Sequence, residues 1–253
     1  MRFKMKNNIT ALIPARKGSL RVPNKNIRAL NGHPTIAYTI QTALDSKIFD
    51  SVIVASDCEI VCKIAEYYGA SKVVKRSDTD STATSLDIDW LSNLYAAGHL
   101  ETNLFSILRP TSPLRSVRLI YECVNKFLDS NGDSLRTVSK VKEHPGKMWQ
   151  LTHNHIISPY INQVKNLPAT HAMQYQSLQE LYVQTSVFEI AKTSVIKETN
   201  SREGHIVLGH VTDGLDSHSI DSEADFEYLK FLVAANPVLL PVIGKKPFNE
   251  TSK

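Results

Sequence analysis

Short apolar segments rich in β-branched residues alternate with segments of helical periodicity along the first hundred residues. The strand-like segments are 9–13, 51–56, 72–75 and 103–108. The helix-like segments, with apolar residues three or four apart, are 35–44, 59–68 and 86–95. Strands that alternate with helices across short connections form a mostly parallel, doubly wound sheet. This order predicts a Rossmann-like α/β fold, with a ligand site in the loops that follow the strands.

The alternation stops at about residue 141 and resumes at about 183. Residues 141–183 contain several Asn, Gln, His and Pro residues and little helical periodicity, which indicates an inserted β-rich arm. Strands at 183–190 and 205–210 and a helix at 221–235 return the chain to the main fold. We therefore expect an α/β domain of 1–140 and 184–253, interrupted by an arm of 141–183.

Composition excludes several classes of protein. With 42% hydrophobic and 21% charged residues in 253, the chain is globular rather than disordered. Cys58, Cys62 and Cys123 are too few for a disulfide framework, which suggests reduced thiols and a cytoplasmic location. The basic N-terminus is followed only by the short apolar run 9–13, so neither a signal peptide nor a membrane span is expected.

The net charge is modestly positive, at +4. No block of Lys and Arg with interleaved aromatic residues is present, so the sequence does not predict nucleic-acid binding. A small positive excess suits an anionic small molecule.

The segment 13–26, called the basic loop here, follows the first predicted strand. It carries Arg16, Lys17, Arg21 and Lys25 within ten residues, next to Gly18. Such a density of cations on a loop rich in backbone N–H groups is typical of a polyphosphate site. The loop lacks both GxxxxGK[ST] and GxGxxG, so it is neither a P-loop nor a dinucleotide fingerprint. A solvated surface loop is the alternative.

The basic loop contains the pattern PARxGSxRxPxKN, which resembles the signature of the acylneuraminate cytidylyltransferases, the CMP-sialic acid synthetases with their nonulosonate and Kdo relatives. Further matches follow in the family's order along nearly the whole chain. They are GHPTIAYTI at 32–40, ASD at 55–57, RPTSPLR at 109–115, EHPGKMW at 143–149 and SIDSEADF at 219–226. A chance occurrence of this series is remote.

The resemblance implies a CTP site and assigns residues to it. The nucleotide-binding residues would be Ala15, Arg16, Ser19, Lys25, Asn26, Arg76 and Ser85. Arg16 and Lys25 would also act in catalysis by neutralising phosphate charge. For Ser85 the alternative is a helix N-cap, shared with Thr84.

The resemblance also implies a divalent metal, Mg²⁺ or Mn²⁺, held by an Asp-Ile-Asp pair. Here the pair reads Ser219-Ile220-Asp221, so Asp221 is expected to be the main metal ligand and Ser219 a weak one. Alternation along an extended segment would put both side chains on one face. Asp213 and Asp216 lie near enough in sequence to compensate. The alternative is that Asp221 only begins a helix, and that the chain is a nucleotide-binding pseudoenzyme.

Three residues are expected to contact the acceptor acid. Arg109 stands where the family usually has glutamine, and an arginine there would bind a carboxylate through two hydrogen bonds. A surface arginine that ends a strand is the alternative. Lys147 and Tyr182 match positions that border the acceptor pocket in similar proteins.

Together these features predict an enzyme that couples CTP to a sialic-acid-like 2-keto sugar acid and releases pyrophosphate. A nucleotidyltransferase with another acid or base is the alternative within the same class. The resemblance further implies a homodimer in which the arm reaches over the partner's site. Which sugar acid is used cannot be read from the residues of the arm.

Overall fold

The strand Ile9–Pro14 lies inside the sheet because both of its faces are apolar. Ile9, Ala11 and Ile13 pack into a core on one side of the sheet, and Leu12 packs against Trp90 in a second core on the other side. A strand covered on both faces is the pattern of a parallel sheet with helices on each side. The computed structural model describes residues 8–18, 21–77, 79–82, 84–161 and 169–249.

The strands, numbered in chain order within the described residues, are β1 Ile9–Pro14, β2 Ala29–Leu30, β3 His33–Pro34, β4 Ser51–Ser56, β5 Lys72–Lys75, β6 Leu104–Ile107, β7 Ser134–Lys140, β8 Trp149–Leu151, β9 Ile157–Pro159, β10 Tyr182–Lys192 and β11 Val207–Val211. The helices are α1 Thr35–Ser46, α2 Glu59–Tyr68, α3 Asp87–Ala96, α4 Val117–Leu128, α5 Ser194–Thr199 and α6 Glu223–Ala235. None of the described helices is long and apolar enough to cross a membrane.

Seven strands form the central sheet, in the order β11-β7-β10-β6-β1-β4-β5. The strand β10 is antiparallel to both of its neighbours, and the remaining pairs are parallel. The predicted mostly parallel α/β fold is therefore confirmed. The chain runs from β1 to β4 on one side and reaches β6 on the other, so a crevice opens beyond the carboxyl ends of β1 and β6.

The predicted strands and helices of the main fold are present, with ends that differ by at most a few residues. The prediction from sequence omits α4, although it has clear apolar periodicity, and β7, as well as the short elements β2, β3 and α5. The last helix begins at Glu223, two residues later than predicted. Ser222 and Asp225 form a capping box there, in which each side chain accepts the other's backbone N–H.

The predicted arm leaves the sheet where β7 ends at Lys140 and returns where β10 begins at Tyr182. Among the described residues between β7 and β10, regular β-structure is limited to the short antiparallel pair β8 and β9. Short 3₁₀ turns and irregular backbone make up the rest of its described residues. Large apolar side chains of the arm that are at least two-fifths exposed include Trp149, Leu151, Ile156, Ile157 and Tyr160.

Candidate active site

A cavity of about 490 Å³ opens at the carboxyl ends of β1 and β6. Its volume is in the usual range for small-molecule sites. The described residues that line it are Pro14, Arg16, Arg21, Lys25, Asn26, Arg76, Thr82, Ser85, Asp87, Trp90, Arg109, Pro110, Thr111, Ser186 and Asp221. Six of the predicted nucleotide and metal residues and the predicted acceptor residue Arg109 thus meet in one place.

The start of the basic loop is bonded to the end of β4. The N–H of Ala15 donates to the carbonyl of Ala55 at 3.0 Å, and Ser56 Oγ donates to the carbonyl of Ala15 at 2.6 Å. The N–H of Lys17 donates to Asp57 Oδ1, also at 2.6 Å. The ASD motif therefore fixes the start of the loop, at Ala15 and Lys17. Ala15 does not line the cavity, and its own N–H and carbonyl are already paired.

Two cations of the basic loop are held by carbonyl oxygens. Lys25 Nζ donates to the carbonyl of Ile220 at 3.2 Å, and Arg16 Nη1 lies 3.5 Å from the carbonyl of Ser81. Asn26 Nδ2 donates to the carbonyl of Arg16 at 3.2 Å. Burial lowers the pKa of Lys25, and Arg21 and Arg16 add to this while Asp221 opposes it. The predicted residue Ser19 lies outside the described residues.

Arg76 and Ser85 form a second wall of the cavity. Arg76 is 8% exposed as a residue. Its guanidinium carbon lies 5.5 Å from the centre of the Trp90 ring, and the group bonds with Asp80. Ser85 Oγ accepts from the N–H of Thr82 at 3.0 Å and donates to the carbonyl of Thr79 at 3.0 Å. The alternative reading of Ser85 as an N-cap is wrong.

The helix α3 is capped by other residues. It begins at Asp87 with Leu86 at the N-cap, whose N–H donates to Asp89 Oδ2 at 2.8 Å. Ser85 is thereby left to organise the turn at 79–85, which faces the cavity.

The segment 219–221 borders the first cavity through Asp221. Ile220 is fully buried, and its N–H donates to the carbonyl of Thr111 at 2.9 Å. Ser219 and Asp221 flank it and both line a second cavity, so the predicted alternation of faces is present. Asp221 precedes the N-cap Ser222, so it is not a residue of α6.

Asp221 is the available carboxylate of this segment. Its Oδ1 lies 3.1 Å from Arg21 Nη2, and both side chains are more than half exposed, so this ion pair is weak. Asp225 is occupied by the N–H groups of Asp221 and Ser222. Asp216 bonds with Arg118, and neither Asp213 nor Asp216 lines a cavity. Within the described residues no three His, Cys, Asp or Glu side chains could together hold a metal ion.

The second cavity, of about 630 Å³, shares the lining residues Ser186 and Asp221 with the first. Residues of β10, of the turn before 219 and of α6 line it. They include Lys142, Gln184, Thr185, His218, Ser219 and Tyr228. Its polar, mixed lining suits a ligand with several hydroxyl groups.

Arg109 lines the first cavity but is already paired. Its Nη2 lies 2.5 Å from Asp87 Oδ2 and 3.5 Å from Glu189 Oε1. Burial would raise the pKa of Asp87, but Arg109 and Arg202 outweigh this and lower it to about 2. Asp87 therefore stays ionised at neutral pH.

The other two predicted acceptor residues line neither cavity. Lys147 Nζ donates to the carbonyls of His171 and Met173, inside the arm. Tyr182 is 44% exposed at the start of β10, and its hydroxyl bonds with Glu180. Within a single chain the structure does not bring these two residues to the site.

Several lining residues were absent from the sequence prediction, among them Thr82, Asp87, Trp90, Thr111 and Ser186. Thr111 belongs to the RPTSPLR match, which could have pointed to it. Nothing in the sequence marks Asp87 or Ser186, because each reaches the cavity through contacts with distant segments.

The electrostatic balance of the first cavity is positive. Five cations, Arg16, Arg21, Lys25, Arg76 and Arg109, line it with only two carboxylates, Asp87 and Asp221. A partly enclosed cleft with excess positive charge attracts polyanions.

Comparison with known proteins agrees with this geometry. The CMP-N,N'-diacetyllegionaminic acid synthase of Legionella pneumophila is 28% identical over 232 residues, covering 90% of this chain and 97% of that protein. The pseudaminic acid cytidylyltransferase of Campylobacter jejuni is 27% identical over 238 residues, covering 92% and 98%. The N-acylneuraminate cytidylyltransferase of Streptococcus agalactiae is 31% identical over 197 residues, which are 76% of this chain and 44% of that protein.

Solved structures share the fold. A CMP:2-keto-3-deoxy-manno-octonic acid synthetase complexed with CTP superposes with a TM-score of 0.64 at 16% identity, covering 90% of this chain and 98% of that one. A family model described as cytidylyltransferase matches residues 10–201. The chain therefore belongs to the cytidylyltransferase family, as the motifs of its basic loop predict, and is a nucleotidyltransferase.

Proposed function

We propose that the protein couples CTP to a nonulosonic acid, a sialic-acid-like 2-keto sugar acid, and releases pyrophosphate. The main support for this proposal is the first cavity, which the cations of the basic loop line together with Arg76 and Ser85. The match to the cytidylyltransferase family model supports the same reaction. The similar proteins are named for legionaminic, pseudaminic and N-acylneuraminic acids, which supports the class of acceptor.

The nucleotide would occupy the first cavity. Arg16 and Lys25 are placed to bind the triphosphate, and Asn26 holds the carbonyl of Arg16. The nucleoside would then lie against the opposite wall, which is lined by Arg76, Ser85 and the Trp90 ring. The ASD segment keeps the loop in place before the nucleotide binds, which reduces the cost of ordering it.

The reaction needs no covalent intermediate with the protein. The anomeric hydroxyl oxygen of the acid forms a bond to the α-phosphorus, the bond from that phosphorus to the bridging oxygen breaks, and pyrophosphate leaves with the electron pair. The hydroxyl proton passes to solvent. The protein positions the two substrates, and Arg16, Arg21 and Lys25 neutralise the charge of the phosphates.

The donor set fits a divalent metal that arrives with the nucleotide. Asp221, whose ion pair with Arg21 is exposed and weak, lines both cavities, and Ser219 lines the second. Mg²⁺ commonly binds proteins through one or two carboxylates while phosphates and water complete its shell. When bound, Mg²⁺ or Mn²⁺ would neutralise charge on the phosphates. Asp221 would be the principal protein ligand, with Ser219 beside it.

The acceptor would lie in the second cavity, beyond Ser186 and Asp221. The arm, with its exposed apolar side chains, supports a homodimer in which each arm covers the site of the partner. Lys147 and Tyr182 remain predicted acceptor residues in that assembly, since the arm would have to carry them to the second copy. The cytoplasmic location also remains a prediction, consistent with three free cysteines.

Pyrophosphate release tests this function. We expect release with CTP, Mg²⁺ and at least one nonulosonic acid from a panel of legionaminic, pseudaminic, N-acetylneuraminic and Kdo acids. ATP, GTP and UTP serve as nucleotide controls. Release with another nucleotide but not with CTP would favour a related nucleotidyltransferase. CTP binding without turnover of any acid would favour the pseudoenzyme.

A further inference from the structure

Three arginines and three carboxylates lie together at one end of the first cavity. This arginine–carboxylate cluster consists of Arg109, Arg136, Arg202, Asp87, Glu189 and Glu203. The residues come from five separate segments, so the cluster forms only in the folded chain. Its members are mostly buried, since the arginine side chains are 12–23% exposed.

Every arginine of the cluster contacts at least two carboxylates, and Arg202 also contacts Glu203 through its Nε. Arg109 contacts Asp87 and Glu189, and Arg202 Nη1 contacts the same two. Arg136 Nη2 lies 3.3 Å from Glu189 Oε2 and also bonds with Glu203. Glu189 is therefore shared by all three guanidinium groups.

The charges of the cluster cancel, three against three. A substrate carboxylate that bound Arg109 would have to displace Asp87 or leave a buried carboxylate without its partner, and such losses are costly. By contrast, the cations of the basic loop contact mainly carbonyl oxygens. Charge balance thus argues against Arg109 as the ligand of the acceptor.

The arginine–carboxylate cluster lies between the nucleotide side and the acceptor side of the site. Asp87 is the first residue of α3, directly after the turn that carries Thr82 and Ser85 on the nucleotide side. Glu189 follows the irregular part of β10, between Gln184 and Glu189, where Ser186 lines both cavities. Arg109 bonds with both carboxylates and so joins the two walls.

A second arginine reinforces the same connection. Arg115 is 2% exposed, its Nη2 donates to the carbonyl of Arg109 at 2.8 Å, and its Nε donates to the carbonyl of Val187. The turn at 109–115 is thereby fixed to the irregular part of β10 by backbone contacts as well as by ion pairs.

We propose that Arg109 is a positioning residue which, through Asp87 and Glu189, holds the nucleotide wall and the acceptor wall in one arrangement. This inference rests on the proposed function. Loss of Arg109 then disturbs both subsites together, whereas loss of a direct carboxylate ligand would disturb the acceptor subsite alone.

The test is a double-mutant cycle of Arg109→Gln and Asp87→Asn, with KM measured separately for CTP and for the acid. We expect each single variant to raise both KM values, by about tenfold, and the double variant to be no worse than the singles, because they break one shared contact. Lys63→Gln, which removes an exposed ion pair with Glu59, is the control and should leave both KM values unchanged.

Arg109→Lys separates charge from geometry. A lysine keeps the positive charge but cannot make paired hydrogen bonds to two carboxylates. The positioning role predicts that this variant also raises both KM values. A rise confined to the acid in Arg109→Gln, with near-normal kinetics in Arg109→Lys, would overturn the proposal in favour of direct acid binding.

Binding of CTP alone gives a readout that does not depend on turnover. Calorimetry should show weaker CTP binding by Arg109→Gln than by the wild type, with circular dichroism to check that the variant is folded. Unchanged CTP affinity in a folded Arg109→Gln would refute the positioning role even if no acid is turned over. Absence of turnover in the wild type would instead count against the proposed function.

Discussion

Two groups of basic side chains meet in the first cavity, and they differ in their counter-charges. Lys25 and Arg16 of the basic loop are held by carbonyl oxygens, and Arg21 pairs with the exposed Asp221. Arg109, in contrast, belongs to the arginine–carboxylate cluster, where each positive charge is matched. Sequence alone treats both groups alike, as arginines and lysines at the end of a strand.

The difference shows that the partner of a basic side chain decides whether that side chain can bind a ligand or instead stabilises the fold. A cation held by a neutral carbonyl retains its full charge and can bind a phosphate without breaking an ion pair. A cation paired with a buried carboxylate stabilises the fold and is expensive to redirect.

Asp221→Asn should have the largest effect, about a thousandfold loss of kcat, because it removes the main protein carboxylate for the metal. CTP binding should survive, since the basic loop is untouched. Pyrophosphate release and calorimetry measure the two quantities. Asp213→Asn, at a carboxylate that lines neither cavity, is the control. Activity indifferent to Asp221 would contradict this metal assignment.

Arg16→Ala or Lys25→Ala should each lower kcat/KM for CTP by about a hundredfold, because each removes an unmatched charge from the phosphate site. Lys17→Ala offers a control within the same loop, since the contact of Lys17 described above is made by its backbone. An unchanged kcat/KM in the Arg16 and Lys25 variants would show that these cations do not bind the phosphates, and would contradict the functional difference between them and Arg109.

Asp87 should make folding stability sensitive to acid. Its pKa is about 2 in the fold against an ordinary value of 3.8. A lowered carboxyl pKa stabilises the fold above pH 4, and this contribution, about 2 kcal/mol, should fall away between pH 4 and pH 2. Urea titrations of the wild type and Asp87→Asn should therefore converge in that range. A stability difference that stays constant down to pH 2 would contradict the balanced cluster.

Ser219→Asp should have the smallest effect, a few-fold decrease in the Mg²⁺ concentration needed for half-maximal rate. The added carboxylate would share a face with Asp221 beside the second cavity, although repulsion between the two limits the gain. Ser217→Asp, also at that cavity but outside the segment 219–221, is the comparison. An equal response of both variants would show that only general negative charge matters.

Local patterns predicted most of the fold but only part of the site. The segment 59–68 carries its own periodicity, and α2 occupies those residues. The basic loop could be recognised because its cations are close in sequence. Asp87 could not, because its partners Arg109 and Arg202 lie 22 and 115 residues away. The N-cap alternative for Ser85 is wrong, because helix-capping preference cannot show that its hydroxyl bonds with Thr82 and Thr79 instead.

The bond from Lys25 to the carbonyl of Ile220 joins residues 195 positions apart. Closing so long a loop is slow and entropically costly, so the phosphate site should be assembled late in folding. During synthesis the basic loop leaves the ribosome long before segment 219–221. The bond from Lys25 to Ile220 therefore cannot form until most of the chain has been synthesised. Nascent chains that end before Ile220 should therefore be unable to retain CTP, although β1 and its neighbours are already made.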